Sequence, residues 1–329
     1  MDFNNKLTII VPTYNHSDYM DFYLSKMKII DDINVILEIH DSSVDGKTQQ
    51  VVERYQKTIK NLKYYKYEDI DVDVKTVVAL QNCSTEYVFL CGDGVILNLE
   101  KTGKVILDAI QEGFDIIELY DETTPKHYNY YRSLSEKYSD DKIVYEEIIK
   151  HFMDNVWHMP YYGGSIVKSK VFKYAKLEQM EAVIGLGFVY PYMIYNYPYK
   201  NFKAVVLGSD FHIRNPYKKM AIWASTQKSA IKIWAHNFPT TINNLAEQYN
   251  TYKLSTIMYS EKILEYLTFR GLLYLRAIDN FNLKILKQYK HEMKTYATCG
   301  SFMQTVIAIT PKFVLKVLKH IKNIIRRQK

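Results

Sequence analysis

Cysteine is scarce in this chain: three residues among 329, Cys83, Cys91 and Cys299. The number is odd and no two of them form a C-x-x-C pair. A disulfide framework and a zinc knuckle are excluded, and a reducing compartment fits. Long apolar runs are absent as well, and no stretch approaches the roughly 18 apolar residues that cross a bilayer. The first residues, MDFNNKLTIIVPTYN, hold only a short apolar run that stops at Pro12. No secretory leader is expected there, and the expected location is cytoplasmic. Acids are missing from residues 312–329, which carry Lys312, Lys316, Lys319, Lys322, Arg326, Arg327 and Lys329. Formal net charge is +7, so without those residues the basic and acidic side chains balance. The basicity belongs to the tail. Nothing beside it resembles a nucleic-acid-binding module, and nucleic acid is not an expected partner.

Apolar content of 47% and charged content of 24% are ordinary for a globular protein, and 329 residues suffice for one large or two ordinary domains. The thirty tyrosines sit in Lys/Asn/Ile-rich surroundings and make no motif by number alone. No internal repeat and no low-complexity linker interrupts the chain. Residues 1–120 alternate apolar β-rich runs (LTIIVP, NVILEIH, LKYYKY, EYVFLCG, FDIIELY) with helical stretches. That alternation predicts an α/β fold with a mostly parallel sheet covered by helices. Three polar clusters, VPTYN, IHDSSVDG and LCGDG, fall where strands end, which is where open α/β sheets bind ligands. Residues 121–165 read as looser, with one short helix near VYEEIIKHFMDN. From about Pro216 onward the pattern is helical, including one long run, KLSTIMYSEKILEYLTFRGLLYLRAI. The expected domains are therefore 1–214 and 215–329.

LTIIVPTYN at residues 7–15 and EIHDSSVDGKTQQVV at residues 38–52 resemble the N-terminal half of a family 2-type glycosyltransferase with the GT-A fold. The family's second cluster reads Asp-Asp-Gly-Ser-Thr-Asp-Gly-Thr. His40-Asp41-Ser42-Ser43-Val44-Asp45-Gly46-Lys47-Thr48 fits it with one extra residue before Thr48. STEYVFLCGDG resembles the approach to the family's Asp-x-Asp metal motif. The likeness covers residues 6–120 and fades after residue 150. It implies a Rossmann-like GT-A domain, followed here by a helical domain, and transfer of a sugar from a nucleoside diphosphate, UDP, to a growing or lipid-linked saccharide with inversion. Assembly of a bacterial surface polysaccharide, such as a capsule, is the implied setting.

The resemblance also implies roles for individual residues. Asp41 accepts hydrogen bonds from the uracil or the ribose; read alone, it is a turn acid or helix cap. Pro12 and Thr13 fix the backbone at the end of the first strand, and Tyr14 offers the base a face to stack on. Asp45 caps the helix that begins near Thr48. Lys75 matches a basic position facing the nucleotide, or is an ordinary surface lysine. In the metal motif, two acids hold a divalent ion, Mn²⁺ or Mg²⁺, that neutralises the leaving diphosphate. Here the acid positions fall on Gly92 and Gly94 with Asp93 between them, or, slipped by one, on Cys91 and Asp93. One carboxylate remains, and the resemblance sets Asp93 at the diphosphate, directly or through a metal.

An inverting transfer needs a carboxylate to take the acceptor's proton. Gly185-Leu186-Gly187 stands about where the family has that acid. Glu181 is the expected base, with Glu178, Asp154 and His158 as alternatives. WHMPYYGGS suits an aromatic acceptor platform, or packs Trp157 in the core. Trp223 and Trp234 are expected to pack helices.

In KFVLKVLKHIKNIIRR, Phe313, Val314, Val317, Leu318, Ile321, Ile324 and Ile325 share one helical face and basic residues share the other. This reads as a helix lying on an anionic membrane surface, with peripheral attachment to the inner face of the cell membrane. The rival is a helix docked on the body with a solvated basic face. A homo-oligomer or a partner glycosyltransferase is a further possible association. The competing class is a non-catalytic GT-A-like subunit that binds such a partner or the membrane.

Overall fold

The computed structural model describes residues 1–68, 70–217, 230–312 and 314. The chain divides into two compact units, Met1–Lys218 and Lys219–Lys329. Trp223 and, apart from Lys312 and Val314, the basic tail helix expected at 312–329 lie outside the described residues. No helix among the described residues is long and apolar enough to cross a membrane.

The first unit opens with β1 (Leu7–Thr13), α1 (Ser17–Lys26), β2 (Ile36–Asp41), α2 (Lys47–Gln56) and β3 (Leu62–Lys66). Next come α3 (Val72–Asn82), β4 (Tyr87–Leu90), β5 (Val95–Leu97), α4 (Leu99–Gln111) and β6 (Ile116–Asp121). It continues through α5 (Pro125–Tyr138), β7 (Lys142–Tyr145), α6 (Ile148–Asn155), β8 (Ser165–Lys168) and α7 (Lys170–Tyr174). It closes with α8 (Val189–Asn196), β9 (Ala204–Ser209) and β10 (His212–Arg214). Eight strands form one sheet in the order β3-β2-β1-β4-β8-β6-β9-β7. Within it β8 and β7 are antiparallel to their neighbours and every other pairing is parallel, so the sheet is mostly parallel as expected. β5 pairs with β10 in a separate ribbon.

β1 sits in the middle because nearly every residue of it is apolar and buried, which suits a strand covered on both faces. Its proline fits for a geometric reason. Ile10 O accepts from Cys91 N at 2.9 Å, so Pro12, two residues on, faces the same side. The ladder to β4 has ended at Ile10–Leu90, so the missing N–H removes no bond. At that point β4 leaves the sheet as the Cys91-Gly92-Asp93-Gly94 turn.

Residues 121–165 are more regular than their sequence suggests. α5 runs for 14 residues, and its buried face is made of Tyr130, Tyr131 and Leu134, so tyrosines take the place of the aliphatic stripe that marks a helix. Tyr131 lies over Gly208, where an added Cβ would come within 2.0 Å of the ring.

The second unit is helical and has its own core, including Ile231, Leu267, Leu272, Leu275, Phe281, Met293 and Ile307. The long run expected near 253–278 is two helices, Lys253–Leu264 and Phe269–Ala277. The first ends on Glu265, which is left-handed (φ 59°), and Thr268 caps the second by accepting from Gly271 N at 3.1 Å. Trp234 stacks on Tyr266, with ring centroids 5.5 Å apart.

Candidate functional site

The C-terminal ends of β1 and β2 and the turn after β4 meet, and two of the residues singled out at those ends, Thr13 and Asp93, are joined by a hydrogen bond. Thr13 Oγ1 donates to Asp93 Oδ2 at 2.8 Å. His16 Nδ1 lies 2.8 Å from the same oxygen, and since a carboxylate only accepts, that nitrogen carries the proton. The bond to Asp93 raises the His16 pKa above the ordinary histidine value. Neither glycine beside Asp93 has a left-handed φ. The turn is fixed instead by Asn215, which is buried and donates through Nδ2 to Asp93 O (3.2 Å) and Tyr19 O (2.9 Å). Cys91 is buried and directs its Sγ at Val95 O, 2.7 Å away.

Asp41 is fully buried at the end of β2. Ser43 gives its Oδ1 both a backbone N–H, at 2.7 Å, and the hydroxyl. Tyr64 OH donates to Oδ2 at 2.7 Å, and Lys66 Nζ lies 3.6 Å from that oxygen and also donates to Ser43 O. The parallel register sets Lys66 beside Asp41. Asp41 therefore fixes the groups around it. Behind it, Asp45 Oδ1 accepts from Lys47 N at 3.1 Å at the start of α2, and the preceding Gly46 has a φ of 66°, which glycine adopts without strain.

Lys75 ties the end of β1 to the loop after β2 from below. It is carried on α3 and is 2% exposed, so it is no surface lysine. Its Nζ donates to Thr13 O (3.0 Å) and Ser42 Oγ (2.7 Å). Burial lowers its pKa to about 8 from 10.5, against the opposing pull of Asp41 and Asp93.

The acids and histidine considered as bases stand apart from this cluster, whereas Pro12 and Tyr14 flank Thr13. Tyr14 is half exposed beside this cluster and Pro12 is partly buried. Glu181 is exposed just after the turn Leu177–Met180, as is Glu178 within it, and no hydrogen bond among the described residues joins either to Asp41, Lys75 or Asp93. Asp154 is buried under two tyrosines, accepting from Tyr138 and Tyr145 hydroxyls at 3.0 Å each. His158 Nδ1 meets the buried Glu118 at 3.2 Å, and His151 meets the same carboxylate at 2.9 Å. Burial pushes the Glu118 pKa up, but the two histidines outweigh it and hold the carboxyl below its usual value. Trp157 is buried against Tyr130, His127 and Tyr120, which settles its two readings in favour of core packing.

The turn after β4 does not fit a two-carboxylate metal clamp. Asp93 is its one acid, Oδ2 is shared between Thr13 and His16, and Cys91 points into the core. Among the described residues, no group of three or more His, Cys, Asp or Glu side chains could hold a metal ion. His16, Tyr64, Lys66 and Asn215 were not among the sequence candidates. Only His16 carried a signal, in the polar run TYNHSD after the first strand.

This sheet order, with its reversed strand next to β4 and ligand-type residues at the strand ends, is the GT-A fold. Solved structures share it. S. aureus TarS 1-349 in complex with UDP matches with a TM-score of 0.57 and 14% identity, over 88% of this chain and 80% of that one. The longer S. aureus TarS matches at 0.53 and 13%, over 92% and 52%. The mannosyltransferase PcManGT from Pyrobaculum calidifontis, in complex with GDP-Man and Mn²⁺, matches at 0.50 and 14%, over 94% and 87%. At these identities the likeness is one of fold. No protein-family model matches the chain, and no curated protein matches it significantly.

Proposed function

We propose that this protein is a glycosyltransferase that moves a sugar from a nucleoside diphosphate, UDP, to a saccharide or lipid-linked saccharide acceptor, with inversion. The observation that carries this is the junction of Thr13, Asp93 and Lys75, next to Asp41 at the end of the neighbouring strand, in a GT-A sheet. Asp41 holds Ser43, Tyr64 and Lys66 as a ready rim for the nucleoside, with Tyr14 exposed for the base to stack on. A rim already held in place needs little ordering when the ligand arrives. In the reaction, the acceptor oxygen attacks the anomeric carbon as a carboxylate takes its proton. The bond from that carbon to the diphosphate breaks, and its electron pair leaves on UDP. Glu181, exposed near the Gly185 and Gly187 loop, is the proposed base. The acceptor is proposed to be part of a bacterial surface polysaccharide, with the basic tail against the membrane.

The test is transfer by the purified full chain from a panel of UDP-sugars, read as UDP release. Asp41→Ala and Asp93→Ala are each expected to abolish transfer and to weaken UDP binding at least about tenfold, as the loss of charge-assisted hydrogen bonds would do. Native activity in both variants would overturn the site. UDP binding without transfer from any donor would favour the non-catalytic subunit.

A further inference from the structure

A divalent cation binds where anionic oxygens replace its water. The turn after β4 offers one carboxylate, and Gly92 and Gly94 add no side chain. Three basic side chains stand around the two acids. Lys66 Nζ is 3.6 Å from Asp41, His16 is 2.8 Å from Asp93, and Lys75 lies between Thr13 O and Ser42 Oγ. Lys66 and Lys75 alone match the charge of these two carboxylates before any ligand arrives.

We propose that the donor diphosphate, at the site proposed above, is held without a divalent metal, with Lys75 and His16 supplying the positive charge that a bridging ion would bring. Lys75 acts from beneath as a positioning charge. Its Nζ is fixed by two oxygens and lies out of water, where a charge is felt more strongly than in solvent. His16 stands at the rim, 24% exposed, its ring stacked on Tyr19 with centroids 4.4 Å apart. Nδ1–H is engaged by Asp93, and Nε2 makes no hydrogen bond to the described residues. A phosphate oxygen at Nε2 would leave the ring between two anions, which favours the doubly protonated form and a charge-assisted bond. As the sugar–phosphate bond breaks, the electron pair settles on the diphosphate, and these two cations meet the new charge.

The test is calorimetric titration of the full chain with UDP, first in EDTA and then with Mn²⁺. The expected dissociation constants agree within about threefold, less than half of the 1.4 kcal/mol that a tenfold change represents. His16→Ala is expected to weaken UDP about tenfold in EDTA, with no rescue by Mn²⁺. Lys75→Met keeps the length and removes the buried charge, so UDP should bind the folded variant, checked by its melting transition, about tenfold more weakly. UDP binding that appears only with Mn²⁺, or native affinity in both variants, would overturn this inference and leave the donor site standing. Binding in neither condition would overturn the donor site and this inference with it.

Discussion

Lys75 and His16 give the site two titrations of opposite sense. Burial lowers the Lys75 pKa to about 8, so between that pH and 10.5 the unfolded chain holds the proton that the folded chain has lost. Stability from this group therefore rises with pH across that window, and below about 8 the whole cost of the buried charge is present. His16 runs the other way. Its bond to Asp93 raises its pKa, so its contribution is complete below pH 6.5 and disappears as pH climbs through the raised value. A diphosphate beside Lys75 restores the proton, so UDP binding near pH 8 should take up about half a proton. Titration in buffers of different ionisation enthalpy measures that number, and in Lys75→Met the lysine's share should disappear. Uptake at pH 8 that is identical in the variant would place the proton elsewhere.

At the scale of elements, α3 serves two regions of the first unit. In its first turn, Lys75 faces the strand ends, and Asp73, fully buried, accepts from Gly187 N at 2.8 Å. Gly185 and Gly187 are both left-handed, at φ 79° and 83°, so the loop that precedes α8 is shaped by glycine, and that bond ties it to α3. Asp73→Ala should free it. A hydrogen bond to a charged group contributes about 1.5–3 kcal/mol, so amide exchange across 185–187 should quicken about ten- to a hundredfold by mass spectrometry. Unchanged exchange would show that other contacts hold the loop. The five main strands of residues 1–120 were legible as short β-rich runs ended by polar residues, and so were the ends where Thr13, Asp41 and Asp93 gather, whereas β7 and β8 fall in or at the edge of the stretch that read as loose. Tyr64 and Lys66 were not legible, because only the β2–β3 register brings them to Asp41. α5 was hidden by its tyrosine face, and the break at Glu265 lies in a run whose apolar pattern continues past it.

For the whole molecule, charge is the property that the fold of the first unit does not explain. The net +7 is carried by residues 312–329, and the remainder is balanced. A basic segment near an anionic bilayer gains about 1 kcal/mol for each lysine or arginine at the surface, and salt screens that gain over roughly 8 Å at physiological strength. The apolar residues interleaved with these charges add burial that salt does not screen. The full chain should therefore sediment with phosphatidylglycerol vesicles at low salt, lose most of that binding near 0.5 M salt, on the order of a fourfold shorter screening length than at 0.03 M, and ignore phosphatidylcholine vesicles throughout. The triple variant Lys316→Gln, Lys319→Gln, Lys322→Gln removes three charges and keeps the apolar residues. At about 1 kcal/mol each, binding should fall at least a hundredfold, whereas UDP affinity, proposed to rest on residues of the first unit, should not change. Equal binding by the variant would mean that the tail's charges face water on the protein's own surface. A parallel loss of UDP binding would mean that they serve the donor site instead.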